Sequence, residues 1–151
     1  MHFPGNPPGM PLVQISWEKN GATVESALGE TDASGYRALV IDLAQDSTSP
    51  LNRRQDQSMT VVLTDKAGNT AKVSLPAGTS ALSWQTGELV DYTNLAGEYW
   101  YSLYTDFTPL SSLVLPLEDF IGVDIKNLHS IKLELESVSG CIVVRSVSLV
   151  K

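Results

Sequence analysis

Two separate stretches of this chain share one pattern, and that pattern limits what it can fold into. In "NTAKVSLP", Ala71, Val73 and Leu75 alternate with Thr70, Lys72 and Ser74; in "SIKLELES", Ile131, Leu133 and Leu135 alternate with Lys132, Glu134 and Glu136. A period of two sends successive side chains to opposite faces of an extended strand, one face buried and the other wet. No stretch shows a 3.6-residue apolar stripe long enough for a real helix; "EDFIGVDIKNLHS" has room for a helical turn. The chain is therefore expected to be built from paired strands.

The remaining segments extend the same reading. "LVQISWEK" and "TVESAL" flank Asn20-Gly21, the strongest short hairpin signal in the sequence, which predicts that these two strands pair. "YRALVIDLAQ" is apolar on both faces and belongs in the middle of a sheet. A thirteen-residue polar loop, "DSTSPLNRRQDQS", separates it from "MTVVLTD", and "SSLVLPL" and "CIVVRSVSLV" complete the strands. Eight to ten short strands with turn signals at close spacing predict an all-β fold, a β-sandwich or a jelly roll. Residues 1–11, with four prolines and two glycines, read as a lead-in or linker, and residues 12–151 as a single domain.

Composition removes several functions. Ten basic residues stand against seventeen acidic, a formal charge of -7, and the basic residues are scattered apart from Arg53-Arg54, so nucleic acid is not an expected partner. No run approaches the roughly 20 apolar residues of a membrane span. The start "MHFPGNPPGMPL" has neither the basic end nor the apolar stretch of an export signal. The single cysteine, Cys141, lies among apolar strand residues and reads as a small buried hydrophobe.

Catalytic groups are scarce. The histidines are His2, in the lead-in, and His129, read as a surface turn residue, and no Gly-x-Ser-x-Gly elbow accompanies them. A zinc site lacks ligands and a phosphate loop lacks glycines. Glu118-Asp119 and the pair Glu134 and Glu136 supply carboxylates, but the latter pair shares the wet face of a strand, where solubilising charge is the simplest role. "DKAGN", residues 65 to 69, gathers oxygen ligands in the manner of a cation loop. Measured against a calcium loop from Asp65, however, it offers Ala67, Asn69, Thr70 and Pro76 at positions where oxygens, glycine and glutamate are needed. It reads as the connection of a hairpin, with Gly68 suited to positive φ.

The individual feature of the chain is "SWQTGELVDYTNLAGEYWYSLYTDF". It holds Trp84, Tyr92, Tyr99, Trp100, Tyr101, Tyr104 and Phe107, seven of the eleven Trp, Tyr and Phe residues. If "EYWYSLY" is extended, aromatics occupy both faces, and both cannot easily be buried. Three readings stand: rings filling the core and a surface loop, a ligand surface, or a protein interface. Aromatic faces beside polar groups suit sugars, whose C–H faces stack while their hydroxyls hydrogen-bond. On that reading Trp84, Tyr92, Trp100 and Tyr104 stack, and Asp91, Asn94 and Asp106 bond hydroxyls. Arg53 and Arg54, in the long loop, are further candidates for hydroxyls or acidic groups.

The order "YRALVIDLAQD", "MTVVLTDKAGNTAKVSLP", "LVLPLEDFIGVDIKNLHSIKLELES" and "GCIVVRSVSLVK" resembles the galactose-binding-like jelly-roll domains appended to secreted bacterial enzymes, over roughly residues 36 to 76 and 111 to 151. The resemblance implies a non-catalytic accessory domain of two antiparallel sheets, fused to a hydrolase of a polymer, and an extracellular location; it fixes no ligand. Taken with the aromatic segment, the expected role is a carbohydrate-binding module, with polysaccharide or oligosaccharide and the catalytic domain of a parent chain as partners. The resemblance implies no organic cofactor; a structural calcium would sit near acidic residues of the closing strand, where this chain has Arg145 and Ser146, so its ligands are unassignable. The alternative is a structural domain docked on its parent's catalytic domain without binding sugar.

Overall fold

The computed structural model describes residues 12–46, 49–84 and 110–151. Eight strands are found there: β1 (Val13–Trp17), β2 (Thr23–Thr31), β3 (Ala38–Gln45), β4 (Met59–Asp65), β5 (Thr70–Leu75), β6 (Ser111–Pro116), β7 (Leu128–Leu135) and β8 (Gly140–Val150). They form two four-stranded sheets of order β1-β8-β3-β6 and β2-β7-β4-β5, every pairing antiparallel. This is the strand order of an eight-stranded jelly roll. "EDFIGVDIKNLHS" supplies two short 3-10 turns, Leu117–Asp119 and Ile125–Asn127, and no longer helix.

Alternation places the core. Leu39, Ile41 and Leu43 of β3 face Met59, Val61 and Leu63 of β4 and Ile131, Leu133 and Leu135 of β7, all buried in one cluster with Phe120 and Leu82. Each such side chain contributes about 1.5–3 kcal/mol by leaving water. β3 is central in its sheet, as its two apolar faces predict, and β4 and β5 form the expected hairpin with Thr64 opposite Thr70. The outward face of the β2-β7-β4-β5 sheet is polar. Glu134 lies there between Lys72 at 3.1 Å and Lys132 at 3.6 Å.

The Asn20-Gly21 turn departs from expectation. β1 pairs with β8 and β2 with β7, so the turn carries the chain from one sheet to the other instead of closing a hairpin. Gly21 still takes the positive φ, 72°, that the turn needs. The turn reverses the chain, and the strands on either side of it take partners from the far end of the sequence, Val13–Trp17 against Val144–Gly140 and Thr23–Ala27 against Glu134–Ser130. The connections β1–β2, β3–β4, β5–β6 and β7–β8 all cross between sheets, and antiparallel pairing puts all four at the same end of the sandwich. The β2–β3, β4–β5 and β6–β7 connections lie at the other end.

That second end is tied by Asp65. Its carboxylate is buried and accepts from the backbone N–H of Asn69 at 2.9 Å, from Asn69 Nδ2 at 3.1 Å and from the backbone N–H of Asp124 at 2.9 Å. The Lys66 N–H donates to the Asn127 carbonyl, and the Ala33 N–H to that of Ile125, so three connections are drawn together. "DKAGN" is thus a hairpin whose acid serves the scaffold, and Gly68, at φ 90°, supplies the bend.

Two predictions follow from this packing. A methyl group at Gly140 would fall on the Trp17 indole ring and 2.7 Å from Gln57 Nε2, so Gly140→Ala is expected to lower unfolding free energy by about 1–3 kcal/mol in denaturant titration. The Asp124 N–H holds the Asp65 carboxyl below the ordinary carboxylate value; burial opposes this and the Asn69 donors reinforce it. A depressed folded-state pKa stabilises above the unfolded value near about 3.9 and ceases to do so as pH falls through the folded one. Wild type should therefore exceed Asp65→Asn in melting temperature above about pH 4, with the gap closing in more acid solution; a gap constant with pH would refute the assignment.

Candidate functional site

Sequence places Arg53 and Arg54 in a polar loop, and the structure shows why the loop keeps its shape. At its centre is Asn52, 1% exposed. Its Oδ1 accepts from the Cys141 N–H at 2.9 Å and from Gln57 Nε2 at 2.9 Å, while its Nδ2 donates to the carbonyls of Asp46 at 2.6 Å and Cys141 at 2.9 Å. The amide inserts between β3 and β8 where they separate, and continues their ladder by one rung. Ser139 Oγ donates to the Leu51 carbonyl, and Ser49 caps the 3-10 turn Pro50–Asn52.

A second set of bonds fastens the loop to the residues after β5. The Gln57 N–H donates to the Leu82 carbonyl at 2.9 Å, and Gln45 Nε2 donates to the carbonyls of Gln55 at 2.6 Å and Leu82 at 3.2 Å. Asp56 Oδ1 then accepts from the backbone N–H of Trp84 at 2.7 Å. Gln45 spends its amide donors on backbone carbonyls and Gln57 on Asn52 Oδ1 and the Ser139 carbonyl, and their Oε1 atoms are buried without a partner. That orientation is forced, because a flipped amide would set oxygen against oxygen.

The framework supports an unusual backbone. Arg53 and Arg54 both have positive φ, 53° and 54°, the only non-glycine residues to do so among those described. An L residue in this region costs roughly 1–2 kcal/mol, and two in succession persist only where the surroundings hold them. Both side chains are exposed. The loop that carries Arg53 and Arg54 is thus tied, through Asp56, to the backbone of half-buried Trp84 at the crossover end. Tyr92, Trp100, Tyr104, Asp91, Asn94 and Asp106 lie outside the described residues, in the connection that starts after Trp84.

One group was missed in the sequence. Asp42 projects from the outward face of β3 and accepts from Ser112 Oγ of β6 and from Ser146 Oγ of β8, the latter at 3.0 Å, with Arg145 Nε at 3.9 Å. Ser112 is the main cause that holds its carboxyl below the ordinary value, against burial and with help from Ser146 and Arg145. A lone carboxylate in the apolar run "ALVIDLAQ" was the available signal. Arg145 and Ser146, noted as departures from the resembled pattern, are thus partners of Asp42.

The rest of the inventory is structural. Glu134 is held below the ordinary carboxylate value by Lys72, the reverse of what a general acid needs. His129 is exposed and belongs to β7 instead of a turn. Cys141 is buried with Sγ 3.7 Å from Asp46 Oδ2, and burial pushes its thiol up, which makes it a poor nucleophile. Among the described residues no group of three or more His, Cys, Asp or Glu side chains could hold a metal ion.

Comparison with known proteins places the architecture. No protein-family model and no curated protein matches the chain. Solved structures do: the family 11 carbohydrate-binding module of a cellulosomal cellulase of Clostridium thermocellum is similar with a TM-score of 0.50 at 12% identity, over 94% of this chain and 82% of that one. The family 11 module from Clostridium thermocellum in complex with a β-1,3-1,4-mixed-linked tetrasaccharide gives 0.51 at 12% identity, over 94% and 84%. The likeness is one of fold.

Removing the Asn52 amide takes the acceptor from the buried Cys141 N–H and one bond each from the Cys141 carbonyl and Gln57 Nε2, which keep the Asp46 N–H and the Ser139 carbonyl, so Asn52→Ala should cost about 1–3 kcal/mol in chemical denaturation. Arg53→Gly and Arg54→Gly should behave oppositely, leaving stability unchanged or raising it by up to about 1 kcal/mol, since glycine relieves the positive φ. Destabilisation by the glycine variants would show that the arginine side chains serve the fold.

Proposed function

We propose that this domain is a non-catalytic carbohydrate-binding module, an accessory part of a larger secreted bacterial enzyme, and that it binds polysaccharide at the crossover end of the sandwich. The observation that carries this reading is the jelly-roll likeness to a module captured with a bound tetrasaccharide. The reading is supported by the tie from Asp56, two positions after Arg54, to the Trp84 backbone, where the aromatic-rich connection begins. An aromatic face for stacking and fixed donors for hydroxyls are the two elements a sugar surface needs.

A second reading, docking on the parent chain's catalytic domain, is favoured by one feature. On the outward face of the β1-β8-β3-β6 sheet, Val40 pairs with Val114, and Ala38 with Pro116 and Val150. Val114 is 61% exposed. An apolar patch of this kind suits a protein surface. Val114→Asp would then abolish association with the catalytic domain while leaving polysaccharide retention unchanged.

The primary reading is tested by affinity gel electrophoresis and pull-down with soluble and insoluble polysaccharides. Wild type should be retained by at least one of them. Trp84→Ala, Trp100→Ala and Tyr104→Ala should each weaken retention by roughly tenfold without altering the far-UV spectrum. A folded protein retained by no polysaccharide sinks the proposal.

A further inference from the structure

Arg53 and Arg54 are the only two cations adjacent in the chain, and, like Lys19, Arg37, Lys126 and Lys151, they form no ion pair among the described residues, where four other cations do. Lys66, Lys72, Lys132 and Arg145 each stand within ion-pair distance of a carboxylate. The Arg53 and Arg54 guanidinium groups have, among the described residues, no such partner. Asp56, two positions further on, has Oδ1 on the Trp84 N–H instead. The fold therefore tolerates two left-handed L residues, anchors their turn through the buried Asn52 and Gln57 amides, and leaves their charged ends unspent at the surface.

The chemistry of the pair narrows the ligand. A guanidinium is a planar fork of donors that matches a carboxylate with two parallel hydrogen bonds, and charge-assisted bonds of this type are about twice as strong as neutral ones. Neutral sugar hydroxyls are served equally well by amides and hydroxyls, which carry no cost of bringing two cations side by side. We infer that the Arg53–Arg54 turn binds the carboxylate of a uronic acid unit, so that the ligand is an acidic polysaccharide whose ring contacts Trp84; this rests on the carbohydrate-binding reading above. The net charge of -7 works against unspecific attraction of polyanions. At physiological ionic strength, charges beyond about 8 Å are largely screened. Retention of such a polymer must then come from the local pair.

The test uses the full 151-residue chain in affinity gels cast with polygalacturonate, alginate or glucuronoxylan, each beside its carboxyl-esterified form, and with neutral mixed-linkage β-glucan. Retention is expected on at least one uronate polymer. It should fall about tenfold or more on esterification and in the Arg53→Gln/Arg54→Gln variant, and decline with added salt. Arg53→Lys/Arg54→Lys, which keeps the charge and loses the fork, should recover part of the retention and also guards against a folding defect in the glutamine variant. Equal retention of acid and ester, or retention confined to neutral glucan, overturns the uronate assignment and leaves carbohydrate binding standing. No retention on any polymer by folded protein overturns both.

Discussion

Everything at the crossover end depends on how β8 is received where it leaves its neighbours. An antiparallel ladder ends when strands diverge, and the backbone groups at the break must still be satisfied, because a buried N–H or C=O without a partner costs about 1–3 kcal/mol. Here the Asn52 side chain takes both polar groups of Cys141 and the Asp46 carbonyl as well. An amide is suited to this because it carries a donor and an acceptor side by side, as the N–H and C=O of a single strand residue are presented to its partner in an antiparallel pair. Once it is seated, Gln57 and Ser139 have partners, the loop on either side of Asn52 is positioned, and the chain after β5 is bound through Leu82 and Asp56.

Much of the scaffold was legible in the sequence. Strand faces followed from alternation at Ala71, Val73 and Leu75 and at Ile131, Leu133 and Leu135, and the central position of β3 followed from its two apolar faces. A sandwich or jelly roll followed from the number of strands and their spacing, and the family resemblance pointed to the jelly roll. The pairing across Asn20-Gly21 was not legible, since a turn dipeptide specifies that the chain reverses and not which sheet receives it. The partners that receive the two strands, β8 and β7, lie at the far end of the sequence, beyond the reach of any local pattern.

The candidate site was legible in part. Arg53, Arg54 and Trp84 were recognisable by residue type, but the tie between their two segments depends on hydrogen bonds accepted by Asp56 and the Leu82 carbonyl that no local pattern announces. Asn52 and Gln57 were hidden for a different reason. Both are hydrophilic by any composition measure, and the stretch around them reads as a solvated loop, yet they are among the most buried polar residues described. Polarity alone does not distinguish an amide that meets water from one that replaces a missing strand. Asp42 was overlooked likewise, as one carboxylate in an apolar strand whose two serine partners come from β6 and β8.

The two arginines at positive φ bear on how such a surface changes over time. Their turn is held from below, by Asn52, Gln57 and Ser139, and the exposed side chains form no ion pair among the described residues. Positions 53 and 54 then admit any residue that tolerates a positive φ, glycine and asparagine more readily than β-branched ones. A lineage carrying this framework could exchange one pair of recognition side chains for another at constant loop geometry, and so move between ligands without first passing through an unfolded intermediate sequence.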